Sequence, residues 1–234
     1  MRDEKILILS GGRGKRLEDL TLIKPKPLIS IGDKTLLEHK LTHYRKQGFG
    51  KFVFCIGYLG KMIQEYVERL GVDGEFSDAG LDAGMLKRLY DARSLMTKPT
   101  IICYGDTYAH LDLIDLLHHH DSSGCAATLV SATIKNPFGL IEWNRDRLVT
   151  SFKEKPTLNH YIGYMVMDPS VFDFIPEQII SLADGEGLVK AFQILAAMGE
   201  LSAYPYSGLQ VTVNTPEELV EARRTLGEYF TIQE

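Results

Sequence analysis

Residues 5–17 read Lys5-Ile6-Leu7-Ile8-Leu9-Ser10-Gly11-Gly12-Arg13-Gly14-Lys15-Arg16-Leu17. A short apolar run rich in β-formers stops abruptly at a loop with three glycines in four positions. Glycine lets backbone N–H groups approach an anion without side-chain obstruction. Arg13, Lys15 and Arg16 add cations to the same loop, a combination that suits a polyphosphate. The plainer alternative is a flexible turn. Two commoner phosphate loops do not fit. A GxGxxG fingerprint needs glycine where Leu17 stands, and a Walker A loop needs longer spacing and a hydroxyl residue in place of Arg16.

Outward from this loop, short apolar runs alternate with helical periods. Thr35–Gly48 places Leu37, Leu41 and Tyr44 on one face, with Gly48 as a stop. A strand is expected at Lys51–Ile56, a helix near Lys61–Leu70, another at Ala83–Leu95, a strand at Thr100–Tyr104 and a helix near Asp112–His119. The β-α-β-α-β order predicts an α/β fold, a Rossmann-like, doubly wound and mostly parallel sheet, with ligand sites at the carboxyl ends of its strands. After residue 124 closely spaced β runs follow at Ala126–Thr133, Gly139–Trp143, Leu148–Phe152 and Ile162–Met167, an added small β region. Asp168-Pro169 opens a short helix. Leu188–Met198 and Pro216–Leu226 read as helices, the latter capped by Thr215 and opened by Glu217 and Glu218. The expected organisation is a single domain over 1–234, with a nucleotide-binding part at 1–123 and an acceptor-binding part at 124–234.

Composition supports an ordinary globular protein. The chain of 234 residues is 44% hydrophobic and 24% charged, with a net charge of −5. That balance argues against a nucleic-acid binder. The average conceals a split, since residues 1–51 carry 12 Lys and Arg against 6 Asp and Glu while the remainder is acidic. The excess points to an anion near the start of the chain, although Lys40, Arg45 and Lys46 fit a solvated helix face. Cys55, Cys103 and Cys125 are odd in number, far apart and set in apolar runs, and are expected as buried thiols in a reducing compartment. No apolar stretch is long enough for a signal-peptide core or a membrane span, so the expected location is cytoplasmic, with no membrane partner.

The next motif narrows the chemistry. Lys24-Pro25-Lys26-Pro27-Leu28 is followed by Ile31-Gly32-Asp33-Lys34-Thr35-Leu36-Leu37-Glu38. With the preceding loop, which reads GGxGxRLxxLT through Leu20-Thr21, this stretch resembles the sugar nucleotidylyltransferases, also called NDP-sugar pyrophosphorylases. The resemblance continues through Ala83-Gly84-Met85-Leu86, Tyr104-Gly105-Asp106, Phe138-Gly139, Phe152-Lys153-Glu154-Lys155-Pro156 and Thr215-Pro216-Glu217-Glu218-Leu219. Within the family, the segments KPKPL, GYLGKMIQEYV, YGD and GELSAY resemble glucose-1-phosphate cytidylyltransferases, which points to CTP.

The resemblance implies that a sugar 1-phosphate attacks the α-phosphorus of an NTP and expels pyrophosphate. Leu9, Gly11, Gly12, Gly14, Lys15, Ala83 and Gly84 would hold the nucleotide. Arg16 would neutralise the departing pyrophosphate, with Lys26 on the phosphates and Arg13, Lys15 and Lys24 in support. Asp106 and Asn214 would bind Mg²⁺, and Asp106, Gly139, Glu154, Lys155 and Gly163 would face the acceptor, Lys155 on its phosphate. Each has a plainer reading: Asp106 as a turn former, Glu154-Lys155 as a surface ion pair. His118-His119-His120 diverge by about 100° each on a helix and are expected as a solvated helix end rather than a metal site. Trp143 is expected in core or strand packing.

Three departures from the family pattern stand out. Asn214 occupies a position that is usually Asp, Leu81-Asp82-Ala83-Gly84 replaces GTAG, and Tyr161-Ile162-Gly163 replaces Asn-x-Gly, removing a contact to a ring hydroxyl. Catalytic parts are thus better kept than those that choose the acceptor. A non-sugar phosphate acceptor and a catalytically silent nucleotide-binding relative are the alternatives, and a homo-oligomer is open.

Overall fold

β1 (Lys5–Leu9) is buried because it is flanked by strands on both edges and by helices on both faces. A computed structural model describes residues 2–14, 17 and 19–233. After β1 come α1 (Asp19–Ile23), a 3-10 turn (Lys26–Leu28), the β2 (Ser30–Ile31) and β3 (Lys34–Thr35) pair, α2 (Leu36–Lys46), β4 (Phe52–Ile56), α3 (Gly60–Arg69), β5 (Gly74–Asp78) and α4 (Met85–Asp91). Then follow β6 (Thr100–Tyr104), β7 (Thr107–Ala109), α5 (Leu113–Ser123), β8 (Ala127–Lys135), β9 (Leu140–Trp143), β10 (Val149–Lys153) and β11 (Thr157–Met167). The chain ends with α6 (Glu177–Ile180), α7 (Glu186–Met198), β12 (Leu201–Tyr206), β13 (Gln210–Thr212) and α8 (Pro216–Gln233).

Seven strands form one sheet in the order β12-β8-β11-β6-β1-β4-β5. β1 pairs in parallel with β4 and β6, β4 with β5, and β12 with β8; β11 runs against both β6 and β8. This is the doubly wound α/β sheet expected from the alternation of elements. Of the strands after residue 124, β8, β11 and β12 join the main sheet, whereas β9 and β10 form a separate hairpin and β13 pairs with β7.

Alternation along the strands supplies the two faces. Ile6, Ile8, Phe52, Phe54 and Ile101 pack under α2, α3 and α5, where they meet Leu41, Tyr44, Ile63, Val67 and Leu116. Leu7, Leu9, Val53, Ile102 and Met165 face the other way, onto Leu86 and Leu89 of α4 and Leu188 and Leu195 of α7. Period-two side chains between two helical layers make every central strand apolar on both sides. A third cluster fastens α8 to the start of the chain through Leu219, Ala222 and Leu226 against Leu17, Ile29 and Ile31.

Helix ends follow local chemistry. At α2 the Glu38 N–H donates to Thr35 Oγ1 while the Thr35 N–H donates to Glu38 Oε2, a closed capping box. Thr215 Oγ1 accepts from the Glu218 N–H at 3.3 Å, as expected for the start of α8. The expected helix at Ala83–Leu95 is shorter, because α4 gives way to a 3-10 turn at Arg93–Leu95.

Several expectations are corrected. Lys40 does not face solvent; it is fully buried. His120 leaves its two neighbours and turns inward to share a 2.8 Å hydrogen bond with Thr128 Oγ1, because 100° of helical rotation carries it to the core face. Trp143 is 61% exposed, since both faces of the β9–β10 hairpin lie outside the core. Cys125 is only half-buried, in the turn between α5 and β8, whereas Cys55 and Cys103 are buried as expected.

Candidate active site

The site lies where the parallel strands end. Leu9 is the ladder partner of Tyr104, so the Gly-rich loop after β1 and the Gly105-Asp106 turn after β6 emerge side by side. The Gly105 N–H donates to the Leu9 carbonyl at 2.8 Å, and a Cβ on Gly105 would stand 2.7 Å from Pro27. Glycine is required there by close approach of backbone and ring.

Gly11 is enforced from below. A Cβ on it would fall 2.2 Å from Nη1 of Arg88, a buried residue of α4. The guanidinium donates to the Ile56 and Gly80 carbonyls at 2.7 and 2.9 Å, tying the ends of β4 and β5 under the loop. Burial draws Arg88 below its ordinary pKa. Sequence reasoning missed Arg88, because an arginine in a mixed helix carries no mark of burial. Gly14 sits at φ 66°, and the Thr21 hydroxyl donates to its carbonyl at 3.2 Å.

Two cavities meet here. The first, about 170 Å³, is lined by Leu9, Gly11, Gly12, Gly14, Lys26, Ala83, Arg88 and Asp106 among others. The second, about 700 Å³, is lined by Thr107, His160, Tyr161, Gly163, Thr212, Asn214 and Glu218 among others. Met85, Tyr104 and Asp106 belong to both. Burial, with the Asp106 carboxylate beside it, pushes the Tyr104 phenol up to about 12, so it remains protonated.

Lys26 stands at the junction, on the 3-10 turn between Pro25 and Pro27. Its Nζ donates to Asp106 Oδ2 and to Asn214 Oδ1, both at 2.8 Å. Asn214 reaches Asp106 across 108 residues of sequence because β13 pairs with β7, and the Val213 N–H donates to the Asp106 carbonyl at 2.8 Å. The two oxygens therefore converge on one point, and a cation already stands at it. Two hard oxygens with one formal charge would suit a hard cation such as Mg²⁺. Among the described residues no group of three or more His, Cys, Asp and Glu forms a metal cage of its own.

The remaining expected residues divide between the cavity walls, where Gly163 lies, and positions outside them. Gly84 begins α4, where a Cβ would collide with the Leu182 carbonyl at 2.1 Å. Gly163 lies at φ 80° in a register shift of β11, and a Cβ there would meet the Tyr104 ring at 2.9 Å. Among the described residues, Gly139, Glu154 and Lys155 line neither cavity. Glu154 and Lys155 are 3.8 Å apart, both exposed, on the outlying hairpin side of the sheet. Arg13 pairs with Asp82 at 3.2 Å. Lys15 and Arg16 lie outside the described residues. Sequence reasoning also missed His160. Its Nδ1 and the Tyr161 hydroxyl are buried without a hydrogen-bond partner among the described residues, and both residues line the second cavity.

Residues 5–205 match the family model described as Nucleotidyl transferase. The Bacillus subtilis (strain 168) protein named "Probable glucose-1-phosphate cytidylyltransferase" is 29% identical over 94% of this chain and 95% of its own length. A mannose-1-phosphate guanyltransferase of Pichia angusta is 29% identical over 92% of this chain and 62% of its own length. The crystal structure of HddC from Yersinia pseudotuberculosis superposes with a TM-score of 0.72 at 20% identity, covering 95% of this chain and 99% of that one, a likeness of fold.

Proposed function

The chain belongs to the nucleotidyl transferase family, and from that premise we propose that it joins an NTP to a sugar 1-phosphate, releasing pyrophosphate and an NDP-sugar. The observation that carries this reading is the meeting of Lys26, Asp106 and Asn214 at the mouth shared by two cavities. The first cavity, with its glycine floor, takes the nucleotide, and the second takes the acceptor. The first cavity is lined mainly from residues 1–123 and the second mainly from 124–234, which favours a division there, with Met85, Tyr104 and Asp106 common to both cavities. Similarity to cytidylyltransferases favours CTP.

The acceptor brings its own nucleophile. A phosphate monoester is largely dianionic at neutral pH, its second pKa being about 6, so no general base is needed. The barrier lies in bringing two polyanions together in line and in stabilising charge on the transferring group. The backbone N–H groups of the Gly11–Gly14 loop face the nucleotide phosphates, and Lys26 supplies a cation on a backbone stiffened by two prolines. Arg16 acts on the departing pyrophosphate in this reading. Asp106 and Asn214 would hold Mg²⁺, which would supply positive charge to offset that of the phosphates.

A second reading keeps the chemistry and changes the acceptor to a non-sugar phosphate. It is favoured by Tyr161, which stands where the family pattern has Asn, and by Glu154 and Lys155 lying outside the cavity. Pyrophosphate release, measured across four NTPs and a panel of sugar, polyol and aminoalcohol phosphates, decides between the two. CTP with a hexose 1-phosphate is the pair expected to give the fastest release, and silence with every pair overturns both readings.

A further inference from the structure

Lys40 stands on α2, whose other basic residues near the carboxyl end, Arg45 and Lys46, are exposed. Its side chain is fully buried. Among the described residues no carboxylate lies within ion-pair distance of it. Instead the ammonium donates to the carbonyl oxygens of Tyr104, at 2.5 Å, and Thr107, at 2.8 Å, and its nitrogen stands 5.3 Å from the centre of the Tyr164 ring. Burying an ammonium without a counter-ion is expensive, and carbonyl dipoles with an aromatic face offset only part of that.

The position of those two carbonyls gives the arrangement its meaning. They flank Gly105 and Asp106, so one nitrogen closes both ends of the turn that carries the Asp106 carboxylate. The rest of the turn is fastened by neighbours: the Gly105 N–H by the Leu9 carbonyl and the Asp106 carbonyl by the Val213 N–H, both at 2.8 Å. Without Lys40, the Tyr104 carbonyl loses this donor and the Thr107 carbonyl keeps the Tyr164 hydroxyl at 3.3 Å. The turn would then be free to rotate its peptide planes toward other donors, carrying Asp106 off the point it shares with Asn214. Groups that orient a metal-binding carboxylate act at this distance, through backbone rather than through the ion.

We propose that Lys40 is a positioning residue for Asp106, holding the 104–107 turn so that the carboxylate meets Asn214 Oδ1 at one cation point. The proposal rests on Asp106 and Asn214 being the metal pair of the proposed function. It concerns geometry that exists before any substrate binds, so its test need not involve turnover.

Mn²⁺ binding to the whole, nucleotide-free protein, read by electron paramagnetic resonance, is compared for wild type and three variants. Asp106→Ala is expected to weaken binding at least 100-fold. Lys40→Met keeps the volume and removes the donors, and is expected to weaken binding tenfold or more. Leu41→Ala, which removes buried packing from the same helix, is expected to lower the melting temperature as much or more and to leave Mn²⁺ affinity within twofold. Wild-type affinity in folded Lys40→Met, beside lost affinity in Asp106→Ala, overturns the positioning role alone. Equal weakening in Leu41→Ala also overturns it, since softening of α2 would then suffice. Wild-type binding in Asp106→Ala overturns the metal reading and the proposal with it. If Lys40→Met does not fold, Lys40→Gln, which retains donors on a shorter arm, is measured in its place and is expected to fall between wild type and a tenfold loss; wild-type affinity there overturns the proposal equally.

Discussion

Lys26 holds the oxygens of Asp106 and Asn214 with one ammonium, and two expectations follow at the scale of that residue. Lys26→Met should lower kcat by about 100-fold, about 3 kcal/mol of transition-state stabilisation and the order expected for a charge-assisted contact. It should also tighten Mn²⁺ binding to the nucleotide-free protein, because ammonium and divalent ion compete for the same oxygen pair. Unchanged Mn²⁺ affinity would show that the ammonium does not hold that point. Gly11→Ala should destabilise by about 1–3 kcal/mol in denaturant unfolding, through overpacking against Arg88 and the Ile56 carbonyl. Adding Arg88→Met should recover part of that loss, and simple additivity of the two changes would count against the clash as its cause. The glycine-rich loop was legible in sequence because its signal is local, residue types at fixed short spacing, whereas Leu9, Lys26 and Asp106 were marked through the family resemblance. Arg88 and Lys40 were not. A long cation on a helix reads as solvated unless one knows which carbonyls the fold brings beneath it, and those carbonyls lie 32 and 64 residues away, at Ile56 and Tyr104.

At the scale of elements, α2 shows how much a boundary can carry in its own residues. Thr35 and Glu38 close the box, and Thr35→Ala should lower stability by about 1 kcal/mol while kcat stays unchanged, a pair of readings obtained from unfolding curves and initial rates. The helices and central strands were readable because burial on a fixed period shows in sequence. The edge strand β5, Gly-Glu-Phe-Ser-Asp, was not, having one covered side and mixed polarity. Nor was the β7–β13 ladder, three residues on each side, although it is the pairing that delivers Asn214 to Asp106. Such short strands have no pattern of their own and exist because tertiary packing aligns them. Trp143 illustrates the converse: it lies on a strand as expected, yet the strand belongs to a hairpin with no layer against it.

Over the whole molecule, the sheet is covered on two faces, and α8 closes a third cluster against the first loop. Under this closure His39 stacks on Phe230 with centroids 4.0 Å apart, and His43 and His110 lie 4.3 Å apart. Burial, and for His43 the neighbouring His110, lowers all three imidazoles, His43 to about 4. The unfolded chain takes up protons on these groups near 6.5 and the folded chain only below that. Stability is therefore full above about pH 6.5 and declines as pH falls toward 4. His43 alone accounts for about 3 kcal/mol of that decline. Melting temperatures from pH 8 to 4 should fall steeply in the wild type and less steeply in His43→Gln; parallel curves would remove His43 as a source.

The sequence by itself determined the α/β class, the order of the central elements, the glycine-rich loop after β1 and the family resemblance, because each is written in neighbouring residues or in a regular period. It also marked Asp106 and Asn214 as partners, but only through resemblance. Tertiary structure alone decided that their oxygens converge, that Lys26 stands between them, that Arg88 and Lys40 support the loops from below, and that Glu154 and Lys155 lie outside the cavities. These are meetings between segments far apart in the chain, set by strand order and by which faces the helices cover. No local spacing encodes a distance of 2.8 Å across 188 residues, as between Lys26 and Asn214.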